Sequence, residues 1–220
     1  MTRKIPQMPD TTSLIATAPA RPGRRAFLAS AGAAAGALLL APRAGLAAAR
    51  RYGLAEQASR VGFVYTLSGA AQTGTMPIAS ADIRLDPDNL VNSRVDVSVS
   101  VARARTGLIF ATDALKSAEV LDAGRFPTIR FVSTRVGLGA GGRISDGATL
   151  SGNLTVRGVT RPVTFKASVF RPAGSAADDL DNLQVRLSGA ISRSAFGASG
   201  YGDLVADRIG LDIQAGVQAI

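Results

Sequence analysis

Apolar residues alternate with polar or small ones along most of the chain after Tyr52. The period of two is clearest at Val61, Phe63, Tyr65 and Leu67, and again at Val95, Val97, Val99 and Val101, with Asp96, Ser98 and Ser100 between them. It recurs at Val163, Phe165, Ala167 and Val169, at Val185, Leu187, Gly189 and Ile191, and at Ile209, Leu211, Ile213, Ala215 and Val217. Successive side chains of a strand point to opposite faces, so each run predicts a strand with one buried face. Less regular runs at Met76 to Leu85, Ile129 to Val136 and Leu150 to Val156 add further strands. Between them lie Asp86-Pro87-Asp88-Asn89, Gly137 to Gly142 and Pro172 to Asn182, rich in the residues that make turns. About eight or nine strands with short breakers predict an antiparallel all-β domain, either a barrel or a sandwich.

One segment departs from that period. Thr112 to Asp122 places Leu115, Ala118 and Leu121 on one helical face, with Thr112 or Asp113 as N-cap and Gly124 beyond the end. This predicts one short helix packed over part of the β domain.

Residues 1–49 have a different character. Arg24 and Arg25 precede Ala26-Phe27-Leu28, and the uncharged run from Ala26 to Pro42 ends before Arg43 and the small residues Ala47-Ala48-Ala49. A charged start, a weakly apolar middle and a small-residue cleavage site predict a cleaved export signal and a periplasmic protein. The run is shorter than the roughly 20 apolar residues of a spanning helix. The arginine pair followed by x-Phe-Leu is similar to the bacterial twin-arginine signal. The expected organisation is therefore an export segment over 1–49 and a β domain over 50–220.

That division changes the charge. Residues 1–49 hold six of the 25 Lys and Arg but one of the 16 Asp and Glu, so +9 falls to +4 for the remainder. The remaining arginines are scattered rather than gathered in a basic stripe, which argues against a nucleic-acid partner. The chain has no His and no Cys. It therefore cannot build a Ser-His-Asp or Cys-His nucleophile, the common zinc ligand sets, or the common haem and iron-sulfur ligations. No cofactor or metal is expected: Asp178, Asp179 and Asp181 lack the EF-hand pattern and read as a solvated loop.

The strongest motif after residue 49 is Gly152-Asn153-Leu154-Thr155-Val156-Arg157-Gly158-Val159-Thr160-Arg161-Pro162-Val163. It reads as a hairpin in which Arg157 to Thr160 reverse the chain and the returning strand begins at Pro162. Further stretches are Leu121-Asp122-Ala123-Gly124-Arg125-Phe126-Pro127-Thr128-Ile129-Arg130-Phe131, Ile191-Ser192-Arg193-Ser194-Ala195-Phe196-Gly197, and the closing strand Leu204 to Val217. In sequence and in order these resemble the YceI-like family over roughly Tyr52 to Ile220. The resemblance implies an eight-stranded lipocalin-like antiparallel barrel with one short covering helix, exported by bacteria, holding polyisoprenoid-type lipids. The chain departs from the family pattern at Ala58-Ser59, where a His-Ser pair is common, and at Ala195, where Asp is common.

Eight inward-facing candidates for an apolar ligand cavity follow: Phe63, Tyr65, Leu67, Val97, Val99, Phe131, Leu154 and Phe165. A register slip of one residue would exchange this face for the other. For Tyr65 a backbone carbonyl is the expected hydroxyl partner. Arg103, Arg105, Arg125 and Arg130 flank the helix and are candidates for an anionic lipid head at one barrel mouth. Asp96 and Asp212 alternate with apolar residues and are expected to face outward, leaving no acid inside for an enzyme. The expected function is binding and transport of an isoprenoid or other long-chain lipid, with transient membrane contact. Enzymatic isomerisation of such a lipid and an accessory role in a membrane redox or stress system are the alternatives. Oligomeric state is open, a homodimer included.

Overall fold

The computed structural model describes residues 49–86, 89–139, 147–176 and 179–220. The export segment, with Arg24 and Arg25, and Asp178 lie outside them. The strands are β1 (Arg50–Leu67), β2 (Ala70–Met76), β3 (Ile78–Leu85), β4 (Arg94–Ser100), β5 (Arg105–Thr106), β6 (Thr128–Gly137), β7 (Ala148–Val156), β8 (Val159–Phe170), β9 (Asn182–Ser192) and β10 (Arg208–Ala219), with helix α1 (Ile109–Lys116) between β5 and β6.

All pairings are antiparallel, and β10 pairs back to β1 from Tyr52↔Ala219 to Val64↔Gly210, which closes the sheet. The far half of β1 pairs with β2 and its near half with β3. Those two are thus one wall strand interrupted at Pro77, which has no N–H to give the ladder. Counted that way the wall has eight strands, β1, β2 with β3, β4, β6, β7, β8, β9 and β10, and the two-residue β5 hangs on β2. The architecture is a closed eight-stranded antiparallel barrel with a single helix, as the resemblance implied. The alternation is visible in β7, where Ala148, Leu150, Gly152, Leu154 and Val156 are all buried.

Three local expectations are corrected. The helix begins at Ile109, and Thr112 is no N-cap: its Oγ1 accepts from the Thr106 N–H at 2.9 Å and donates to the Leu108 carbonyl at 3.1 Å. The helix stops at Ser117, which is extended and whose hydroxyl bonds the Ala114 carbonyl. Ala118 is consequently exposed while Leu121 stays buried. In the motif hairpin Val156 pairs with Val159, so the loop is Arg157-Gly158 alone, with φ of 49° and 76°. Positive φ at both positions marks the hairpin turn that matches strand twist. Pro162 therefore sits inside β8 opposite Asn153, on a stretch that β9 leaves unpaired, where a missing N–H is tolerated.

The stretches that carry the family resemblance tie one barrel end together. The Arg157 guanidinium donates to the Ala118 and Val120 carbonyls at 2.6 and 2.7 Å, and Arg161 donates to the Ala195 carbonyl at 2.5 Å. The Gly200 N–H reaches the Glu119 carbonyl at 3.0 Å. Asp207 anchors the turn before β10, accepting from the Ser194 N–H at 2.8 Å. The Ser192 and Ser194 hydroxyls, with that N–H, hold its carboxyl down to about 2.

Three inward glycines shape the interior. A Cβ at Gly74 would collide with the ring of Phe63, its partner across the strands; one at Gly152 would meet the Phe131 ring, and one at Gly189 would lie 2.7 Å from Phe165 Cδ1. Each ring therefore lies against the wall over a neighbouring glycine instead of filling the lumen. At Gly74 the three nearest atoms all belong to the Phe63 ring, whereas at Gly152 the nearest is the Val132 carbonyl oxygen. Gly152→Ala is expected to destabilise by about 1–3 kcal/mol, read as a lower thermal midpoint. Gly74→Ala should lose less stability and instead turn Phe63 into the lumen, lowering uptake of an apolar dye. Equal midpoints for the two variants would contradict this assignment.

A depressed carboxyl stabilises the fold above its unfolded value, and that contribution is lost as pH falls through the folded one. Asp207→Asn should therefore be less stable than the wild type at pH 7, with the gap closing as pH falls from the ordinary carboxylate value of 3.8 to about 2. Urea midpoints measured across that window provide the check.

Candidate functional site

The inward faces of the strands enclose a cavity of about 450 Å³. Small-molecule sites typically occupy about 300–1,000 Å³. The register is the one the alternation predicts, and Phe63, Tyr65, Leu67, Val97, Val99, Phe131, Leu154 and Phe165 all line the cavity. Phe63 and Tyr65 are tilted with ring centres 6.0 Å apart, and Phe131 meets Phe165 edge-on at 5.5 Å.

The cavity reaches the surface beside α1. Phe110, Tyr201 and Leu204 are 64%, 47% and 52% exposed and also line the cavity. Among the described residues no other large apolar side chain does both. Phe110 lies in the first turn of α1, while Tyr201 and Leu204 belong to the segment leading into β10. The β1–β2 hairpin joins the two sides of this mouth, since the Ser68 N–H of its turn donates to the Leu204 carbonyl at 2.7 Å and the Thr73 carbonyl of β2 accepts from the Gly107 N–H at 3.4 Å. None of the three lies in a strand, and Leu204, expected to open the closing strand, falls four residues before β10 begins at Arg208.

At the opposite end Tyr52 is buried with Ile83, Leu183 and Val217. Its hydroxyl donates to the Leu180 carbonyl at 2.8 Å, and burial pushes the phenol above its ordinary value.

Polar groups inside are few. The Tyr65 hydroxyl is buried and has no hydrogen-bond partner, where a backbone carbonyl was expected. Arg193 is the sole charged residue among the described cavity lining. Its guanidinium is spent on backbone carbonyls, those of Ala198 at 2.6 Å, Gly200 at 2.7 Å, Val205 at 2.9 Å and Ala206 at 3.3 Å. It frames the mouth from within, a role its place in the Ile191 to Gly197 stretch did not disclose.

The four candidate head-group arginines lie elsewhere. Ile129 and Phe131 line the cavity, so Arg130 faces outward, bonding Asp96 through two contacts of 2.9 and 2.5 Å. That pairing holds the Asp96 carboxyl below its usual range. Arg103 is exposed and donates to the Ile78 carbonyl at 3.3 Å, and Arg105 is exposed opposite Thr75. Arg125 reaches Asp122 at 3.6 Å and lies over the Phe126 ring. None of the four lines the cavity. Asp212 is exposed, facing away from the lumen as its alternation predicts.

Solved structures share this fold. BcnA of Burkholderia cenocepacia superposes with a TM-score of 0.64 at 22% identity, covering 74% of this chain and 99% of that one. A polyisoprenoid-binding domain from Saccharophagus degradans, implicated in plant cell wall breakdown, superposes at 0.54 with 10% identity, covering 78% of this chain and 99% of its own. These two likenesses speak for the fold alone. Among curated proteins, a UPF0312 protein of Pseudomonas fluorescens is 31% identical over 57% of this chain and 63% of its own length. Another, from Photorhabdus laumondii, is 27% identical over 63% of this chain and 70% of its own. The chain thus spans under two thirds of the Pseudomonas relative's length. The family model for the YceI-like domain matches residues 52–217, from the buried Tyr52 of β1 to the buried Val217 of β10, and by that match this chain belongs to the YceI-like family.

Proposed function

We propose that this protein binds a long apolar lipid of isoprenoid type inside the barrel and carries it through the periplasm without transforming it. The observation that carries this reading is the apolar cavity of about 450 Å³ with an exposed apolar mouth. Transfer of apolar surface from water supplies the driving force, at about 25 cal/mol per Å², so burying roughly 300 Å² of chain yields about 7 kcal/mol before ordering costs are subtracted. The polyisoprenoid binding stated for the Saccharophagus relative supports the ligand class. The lining supports holding over chemistry: among its described residues there is no carboxylate, and the one guanidinium is already occupied.

The mouth supports loading from a membrane, because a chain leaving a bilayer would pass between Phe110 and Leu204 without crossing open water. Export before cleavage of residues 1–49 would deliver the barrel to that compartment, and a twin-arginine route would allow it to travel folded.

Organic extraction of the purified protein followed by mass spectrometry should yield an intact long-chain lipid in near-stoichiometric amount. A modified product would favour an enzyme, and extracts without lipid, from a protein that also refuses apolar dyes, would remove the carrier reading. For the export route, replacing Arg24 and Arg25 together by Lys should leave unprocessed precursor inside the cell. Mature protein still recovered from the periplasm would exclude twin-arginine transport.

A further inference from the structure

Among the described residues, the Tyr65 hydroxyl is the one buried side-chain polar atom without a hydrogen-bond partner. The residue is 7% exposed and lines the cavity. Gln72 lies directly across on β2, yet forms no hydrogen bond with it. A buried hydroxyl left unpaired is less stable than a phenylalanine of the same shape. Folding alone therefore gives no reason for the oxygen, but a ligand does.

Its position sets the geometry. Tyr65 lies two residues inside Leu67, where β1 ends at the mouth, or roughly 6–7 Å along the strand. Beyond it toward the closed end, the wall presents Phe63, Val61 and Leu54. A ligand group meeting the hydroxyl would thus sit just inside the entrance with its apolar chain pointing inward.

The surroundings favour a neutral group. The described lining holds no Lys, and the Arg193 donors are committed to four carbonyls. An ionised head at this depth would be stripped of water without a free counter-charge, a heavy penalty. A neutral oxygen needs one hydrogen bond, which the phenol can donate or accept.

We propose that Tyr65 Oη is the polar anchor of the lipid site and selects chains carrying a neutral hydrogen-bonding oxygen, an alcohol or carbonyl, near the mouth. The proposal rests on the reading of the cavity as a lipid site and adds which end of the lipid is recognised and by what.

Competition against N-phenyl-1-naphthylamine, with farnesol, its saturated hydrocarbon farnesane and farnesyl diphosphate as probes, tests it on the purified wild type and Tyr65→Phe. The substitution should shift the ratio of farnesol to farnesane affinity roughly threefold to tenfold toward farnesane, the scale of one buried hydrogen bond. Farnesane itself should bind the variant at least as well as the wild type, which a merely structural role for Tyr65 would not allow. An unchanged ratio, equal loss of both probes, or tighter binding of the diphosphate than of farnesol by the wild type would overturn the anchor while leaving the apolar site standing. Failure of all three probes to displace the dye from the wild type would instead remove the lipid site itself. Should the variant not fold, the wild-type order of farnesol against the diphosphate still decides.

Discussion

Closure of the sheet between β1 and β10 is the constraint from which the rest of this molecule follows. An open sheet would expose two rows of unpaired backbone groups; a ring exposes none, and it divides every strand into an inside and an outside. Once the ring is closed, the alternation along each strand decides the chemistry of the lumen. Valine, leucine, isoleucine and phenylalanine turn inward, while Asp96, Arg130 and Asp212 are left on the outer wall. The backbone ladder, not the side-chain packing, sets the distance between opposite walls. That is why the interior can remain hollow when an ordinary core would collapse.

Hollowness has a thermodynamic consequence. At about 24 cal/mol per Å³, a dry void of this size would lose on the order of 10 kcal/mol, comparable to the whole stability of a typical domain. The Phe63–Gly74, Phe131–Gly152 and Phe165–Gly189 contacts nevertheless hold rings close against the wall and preserve the space. A sequence selected only for folding would have filled it with the rings themselves. An apolar occupant restores the missing contacts, so binding and stability are coupled in the same volume.

Much of this was legible in the sequence because period-two alternation survives wherever the inward residue is large. It failed at β2, whose inward positions are Gln72, Gly74 and Met76: the glycine that accommodates Phe63 also erases the pattern. It misplaced the helix because Thr112 and Ser117 spend their hydroxyls on carbonyls within the segment, moving both ends toward the N-terminus. The eight lining residues on strands were readable, whereas four others were not: Phe110 precedes the expected helix start, and Tyr201, Leu204 and Arg193 lie in segments that carry no period. Arginines near the helix drew attention as charges, yet charge along the chain does not say which face a strand turns inward, and Arg130 is the example.

The stretches that carry the family resemblance and the residues that line the cavity have mostly separate tasks. Arg157 clamps the turn after α1, Arg161 holds Ala195, Arg193 gathers four carbonyls around the segment that leads to Tyr201, and Asp207 fixes the start of β10. These are bonds from side chains to main chain, and they build a rigid frame around the mouth. Lumen residues such as Val97, Val99 and Leu154 need only be apolar and of suitable bulk, which many combinations satisfy. A sequence can therefore announce the frame clearly while saying little about the guest. The exception is a polar atom placed where bulk alone would suffice, and Tyr65 is that atom, which makes its hydroxyl the most informative oxygen in the barrel.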